Sequence, residues 1–103
     1  MDRINKLKEF LAANPGDSFL KHALALEYVK AGDAGMARSV FEELLEREPG
    51  YVGSYYHLAK LLESMGKNEE AIQCYEKGMS AAKTAGDQHA YNELRAAFDN
   101  LKI

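Results

Sequence analysis

Apolar side chains recur along this chain at helical spacing, and glycine, proline and aspartate cut the pattern at regular intervals. Leu20, Leu24 and Tyr28 form one stripe over residues 18–30, with Asp17 or Ser18 placed to cap its N-terminus. Gly32-Asp33 breaks that helix. Ala37, Phe41, Leu44 and Leu45 then fall at i, i+4, i+7 and i+8, which predicts a second helix over about 35–47. Pro49-Gly50 stops it, because the residue before a proline disfavours the helical region. The pattern restarts with Tyr55, Leu58, Ala59 and Leu62, which predict a helix over 52–65 closed by Gly66 as a C-terminal cap. Ala71, Tyr75, Gly78 and Met79 predict another over about 69–83. Asn68 is its expected N-cap, and Glu69 and Glu70 in the first turn complement the helix dipole.

The two prolines, Pro15 and Pro49, stand 34 residues apart, and the rest of the sequence follows that register. Displaced by 34, the pairs Pro15/Pro49, Gly16/Gly50, Leu24/Leu58, Ala25/Ala59, Gly32/Gly66, Ala37/Ala71 and Glu42/Glu76 are identical. Phe41/Tyr75 and Leu45/Met79 are conservative. Internal similarity at this period is the signature of a stacked helical array. The same register places Leu7, Phe10 and Leu11 on Phe41, Leu44 and Leu45, so residues 2–13 read as a half-repeat. Over Gln88–Leu101, the residues Ala90, Tyr91, Leu94, Ala97, Phe98 and Leu101 share one face and read as a closing helix. Such ends are required because each repeat leaves an apolar face open. One domain of about six helices results: a half-repeat at 2–13, repeats at 18–49 and 52–84, and a cap at 88–101. It is expected to be complete in itself.

The spacing Leu-Ala-x2-Tyr-x8-Ala-x3-Phe-x7-Pro, standing as Leu24, Ala25, Tyr28, Ala37, Phe41 and Pro49, resembles the tetratricopeptide repeat. The second copy stands as Tyr55, Leu58, Ala59, Leu62, Ala71 and Tyr75, and the whole is similar to a short bacterial-type two-repeat protein with helical caps. The resemblance implies an all-α, right-handed array of antiparallel helix hairpins and a non-catalytic protein-interaction role. Its physical logic is legible. Ala25, Ala59, Ala37 and Ala71 let helix backbones approach, while Tyr28, Phe41, Leu58 and Tyr75 fill the space between helices. Three positions depart from the pattern. Lys21 holds the aromatic slot of the first copy, where Phe19 or Leu20 is expected to substitute. Leu44 stands where a small residue is usual. Lys83 replaces the closing proline of the second copy, so its helix is expected to run past residue 83.

Composition narrows the function. Apolar residues are 47% and charged residues 28%, near the average for soluble globular domains, which argues against disorder. A net charge of −3 lacks the basic footprint of a nucleic-acid or anionic-membrane binder. No apolar run of about 18 residues exists to span a bilayer, and the N-terminal MDRINKLKEF has no signal-peptide apolar region. The single cysteine, Cys74, excludes an intramolecular disulfide and suits a reducing cytoplasm.

The resemblance also implies that first helices line a concave, peptide-binding groove. The first-helix positions outside the pair core are Phe19, His22, Ala23, Leu26 and Lys30, then Gly53, Tyr56, His57, Lys60 and Ser64. Aromatic anchors beside cations are the composition of a contact surface. We therefore assign Phe19, His22, Leu26, Lys30, Tyr56, His57 and Lys60 to a protein or peptide partner. The plainer reading of Phe19 and Leu26 is core, covered by the N-terminal helix. A second functional reading is a self-associating scaffold whose groove is covered in a homodimer. A carboxylate clamp of the kind some relatives carry is not expected, since the matching positions hold His22, Leu26, His57 and Gly53. No metal or cofactor is expected either. His22, His57 and His89 have no i, i+4 pairing, and there is no Cys-x2-Cys. Catalysis has no constellation: Cys74, aligned with Val40, has no histidine at i±3 or i±4, and no glycine-rich phosphate loop occurs. Glu42, Glu43, Glu46 and Glu48 lie mostly outward on a second helix: a solvated convex face is the plainer reading, and recruitment of a basic partner the alternative.

Overall fold

The computed structural model describes residues 2–102. Among these it shows six α-helices and no strand: α1 (Asp2–Ala13), α2 (Ser18–Lys30), α3 (Ala34–Arg47), α4 (Gly53–Ser64), α5 (Asn68–Ala85) and α6 (Gln88–Lys102). The chain divides into two compact units, one ending at Glu48 and the other beginning at Pro49. In the first unit α1 packs on α2 and α2 on α3. In the second, α4 packs on α5 and α5 on α6.

The first unit follows from its caps and small residues. Asp17 accepts the Leu20 amide and Asp33 the Met36 amide, each satisfying an orphan donor of a helix start. Gly32, at φ 80°, supplies the left-handed turn between α2 and α3, and Gly66, at φ 76°, does the same between α4 and α5. Ala25 and Ala37 are wholly buried, as are Ala59 and Ala71 in the second unit. Their lack of bulk allows the close helix approach that Phe41 and Tyr75, also wholly buried, then fill. A leucine at Ala37 or Ala71 is expected to overpack that contact. The cost should be about 1–3 kcal/mol, read as a lower urea midpoint with an unchanged slope. Wild-type stability in both variants would sink the repeat register.

Several sequence expectations are corrected by position. Asn68 is the first residue of α5, not its cap. Lys67 stands at the N-cap with no side-chain hydrogen bond, at the register position of Asp33. The repeat register thus prevails over residue preference. Neither Phe19 nor Leu20 takes the aromatic slot of the first copy. Lys21 itself is buried there, its aliphatic stem covered and its Nζ 3.9 Å from Glu43. Phe10 is 52% exposed where its register mate Leu44 is buried, because α3 packs on the helix before it, α2, and α1 has no such helix before it. As the missing proline implies, α5 runs past residue 83 and ends at Gly86.

Candidate functional site

The α2 face carries an apolar stripe. Phe19 is 68% exposed and Val29 41%, with Leu26 half-buried between them on the same side of the helix. The N-terminal helix therefore does not cover Phe19. His22 is half-buried, its ring edge-on to Phe41 at 5.9 Å between centroids, so it also serves the α2–α3 contact. Lys30 is exposed and sits 3.9 Å from Glu27, whose carboxylate also accepts from Arg3 Nε at 3.0 Å. Val29 and Glu27 were not singled out in the sequence. Their signal was present: Val29 continues the Leu26 spacing by three, and Glu27–Lys30 is an i, i+3 ion pair.

The α4 face is of another character. Tyr56 is half-buried and stands edge-on to Tyr75 at 6.5 Å and to His57 at 5.8 Å between centroids. Lys60 places its Nζ 5.8 Å from the centre of the Tyr56 ring and 3.9 Å from Glu63 Oε2. The Tyr75 hydroxyl donates to the same Glu63 oxygen in a short hydrogen bond. Burial first, then the hydrogen bond and charge of Glu63, push the Tyr75 phenol well above its ordinary value. The four residues Tyr56, Lys60, Glu63 and Tyr75 thus form one connected cluster joining α4 to α5. Exposed ion pairs of this kind contribute little stability, about 0–1 kcal/mol, so their effect is to orient Lys60 and Tyr56. Glu63 was missed in the sequence although Lys60–Glu63 has helical i, i+3 spacing.

The remaining chemistry is structural. Cys74 is buried and its Sγ donates to the Tyr55 carbonyl at 3.4 Å. Burial first, then the nearby Cys74, raise the Tyr55 phenol. Tyr55 donates its hydroxyl to the Pro49 carbonyl at 2.5 Å and so ties the segment before α4 to that helix. Among the described residues no three metal-ligating side chains come together, and no helix is long and apolar enough to cross a membrane.

Comparison with known proteins agrees with the geometry. The tetratricopeptide repeat family profile matches residues 28–98. A TPR repeat-containing protein of Pseudomonas aeruginosa is 31% identical over 91 residues, 88% of this chain and 87% of that protein. The solution structure of a tetratricopeptide repeat domain protein from Salinibacter ruber superposes with a TM-score of 0.82 at 41% identity, covering 84% of this chain and 88% of that one. A Bordetella parapertussis protein superposes with a TM-score of 0.83 at 26% identity, covering 96% and 86%. The chain belongs to the tetratricopeptide repeat family. Members of this family generally mediate protein–protein interaction, and the fold is generally non-catalytic.

Proposed function

We propose that this chain is a non-catalytic interaction module that holds a peptide or partner protein along the first helices of its two repeats. Phe19, His22, Leu26 and Lys30 on α2, with Tyr56, His57 and Lys60 on α4, make the contacts. The observation that carries this reading is the apolar stripe of α2, left open to solvent by the other helices of its unit. Exposed large apolar side chains in a row mark contact surfaces, whereas scattered ones do not. The α4 cluster adds an aromatic platform with an oriented cation, the residue types enriched at interfaces. The half-repeat α1 and the closing helix α6 act as caps. The module works in a reducing compartment, where the buried Cys74 stays a thiol.

A double variant tests the assignment. Tyr56→Ala with Lys60→Glu alters a half-buried and an exposed side chain, so far-UV circular dichroism should match wild type. Immobilised wild-type and variant chains are exposed to the same lysate, and the captured proteins are identified by mass spectrometry. Partners that depend on the face should bind at least about tenfold more weakly to the variant, the scale of an interface anchor. An identical captured set would refute the α4 assignment.

A further inference from the structure

The two units carry a hollow at the same register, and the second is the larger and more open. In the first unit Gly16, Ser18, Lys21, Leu44, Arg47 and Glu48 enclose about 140 Å³. Ser18 donates its hydroxyl to Glu48 at 2.5 Å across the rim. Displaced by 34 residues, Gly50, Tyr55 and Ala81 replace Gly16, Lys21 and Arg47 around a hollow of about 450 Å³. Three differences open it. Arg47 has become Ala81, Ser18 has become Val52, which has no hydroxyl to donate, and α5 continues through Thr84 and Ala85 instead of stopping at a proline. Small side chains (Ser80, Ala81, Thr84, Ala85) line it together with Pro49, Tyr55 and the exposed Lys77. A volume of this size lies within the range of pockets that take a ligand group.

The chain also carries a side chain of matching shape and charge. Phe19 is the most exposed large apolar residue described, at 68%, and it projects from the first turn of α2. Asp17 lies two residues before it, and Glu48 is hydrogen-bonded to its neighbour Ser18. An aromatic knob flanked by carboxylates complements an apolar hollow edged by a lysine. We propose that Phe19 of one copy seats in the Tyr55–Ala81 hollow of a second copy, with Lys77 facing the Asp17/Glu48 carboxylates. Two different patches meet in this contact, so it is heterologous. One copy of the pair keeps an unused hollow and the other an unused knob, so assembly continues into a ring or an open chain.

Light scattering across a concentration series from about 10 μM to 1 mM, a window suited to a single-anchor contact, tests this. Wild type should rise above monomer mass. Phe19→Ala and Ser80→Arg change exposed side chains and should keep the helical spectrum. Each should weaken association by about 30-fold or more, as loss of a central anchor does. Thr84→Arg blocks the same hollow should Ser80→Arg disturb α5. The decisive arm mixes the two blocked chains. Phe19→Ala retains a hollow and Ser80→Arg retains a knob, so together they should form a one-to-one dimer that grows no further. A wild type monomeric throughout, an unblocked single variant, or a mixture that stays monomeric would each overturn the contact. The Tyr56→Ala/Lys60→Glu variant keeps both knob and hollow and should associate like wild type. Loss of association there would place the self-contact on α4 and overturn the hollow, separately from the partner test.

Discussion

Tyr75→Ala should cost about 3–5 kcal/mol, the usual range for deleting a buried aromatic ring. Against a total stability of about 5–15 kcal/mol for a domain, that is enough to populate unfolded chain at room temperature. The reason is local and specific. Tyr75 is wholly buried, packs edge-on to Tyr56, and donates its hydroxyl to Glu63. Tyr75→Phe keeps the ring and removes only the hydroxyl, so it should cost about 1 kcal/mol. Glu63 then retains Lys60. Urea denaturation followed by circular dichroism compares the two, and an alanine no more damaging than the phenylalanine would refute the core role. The same residue gives the protein an alkaline limit. Its phenol ionises well above the ordinary value when folded and near 10 when unfolded. The folded state therefore holds its proton more tightly. The associated stability is complete below about pH 10 and declines as the pH rises beyond it, toward the raised folded value. Tyr55 shifts in the same direction, so Tyr75→Phe should move the alkaline transition upward without abolishing it. An unmoved transition would mean that Tyr75 does not govern it.

How far the sequence could be read depends on which residues face a partner from the same repeat. The 34-residue register placed the helices because Ala25, Ala37, Ala59 and Ala71 sit at contacts that every copy must make, and small size at a fixed spacing is visible in one dimension. The same register would have put the α5 cap at Lys67, opposite Asp33, but residue preference drew the expectation to Asn68. The candidate faces were legible as lists of exposed positions, but their internal wiring was not. Glu63 became part of the α4 cluster only because Tyr75, on another helix, reaches it. Phe10 followed its register on paper and broke it in space, since the neighbour that buries Leu44 has no equivalent beside α1 in its unit. The open hollow of the second unit was hidden for a related reason. It arises from what Arg47, Ser18 and Pro49 do in the first copy and their counterparts do not, and an alignment scored for identity passes over such positions.

Gly78→Leu should be the most damaging single addition to the second unit, although it merely restores the residue found at the same register in the first. A Cβ at position 78 would lie 2.7 Å from Tyr55 Cβ and 3.1 Å from both Tyr55 Cγ and Leu94 Cδ1. The first of these atoms is fixed to the α4 backbone, so the clash cannot be relieved by rotating a side chain. Helix α5 is pressed against α4 on one side and α6 on the other, and only glycine fits. In the first unit Leu44 is buried with Lys21 at the matching positions. The units thus solve one packing problem in opposite ways: a long flexible lysine beside a leucine, or a rigid tyrosine beside a glycine. Leucine recovers about 1 kcal/mol of helix propensity over glycine, which overpacking exceeds, and the net loss should be about 3 kcal/mol. Tyr55→Lys alone should also destabilise, because it removes a buried ring and the hydrogen bond to Pro49. If the exchange of bulk is the cause, the double variant Tyr55→Lys/Gly78→Leu should lose less than the sum of the two single losses. The coupling should be about 1–3 kcal/mol, the scale seen for side chains in direct contact. Urea midpoints for the four chains complete the cycle, and strict additivity would show that Gly78 is demanded by Leu94 and α6 rather than by Tyr55.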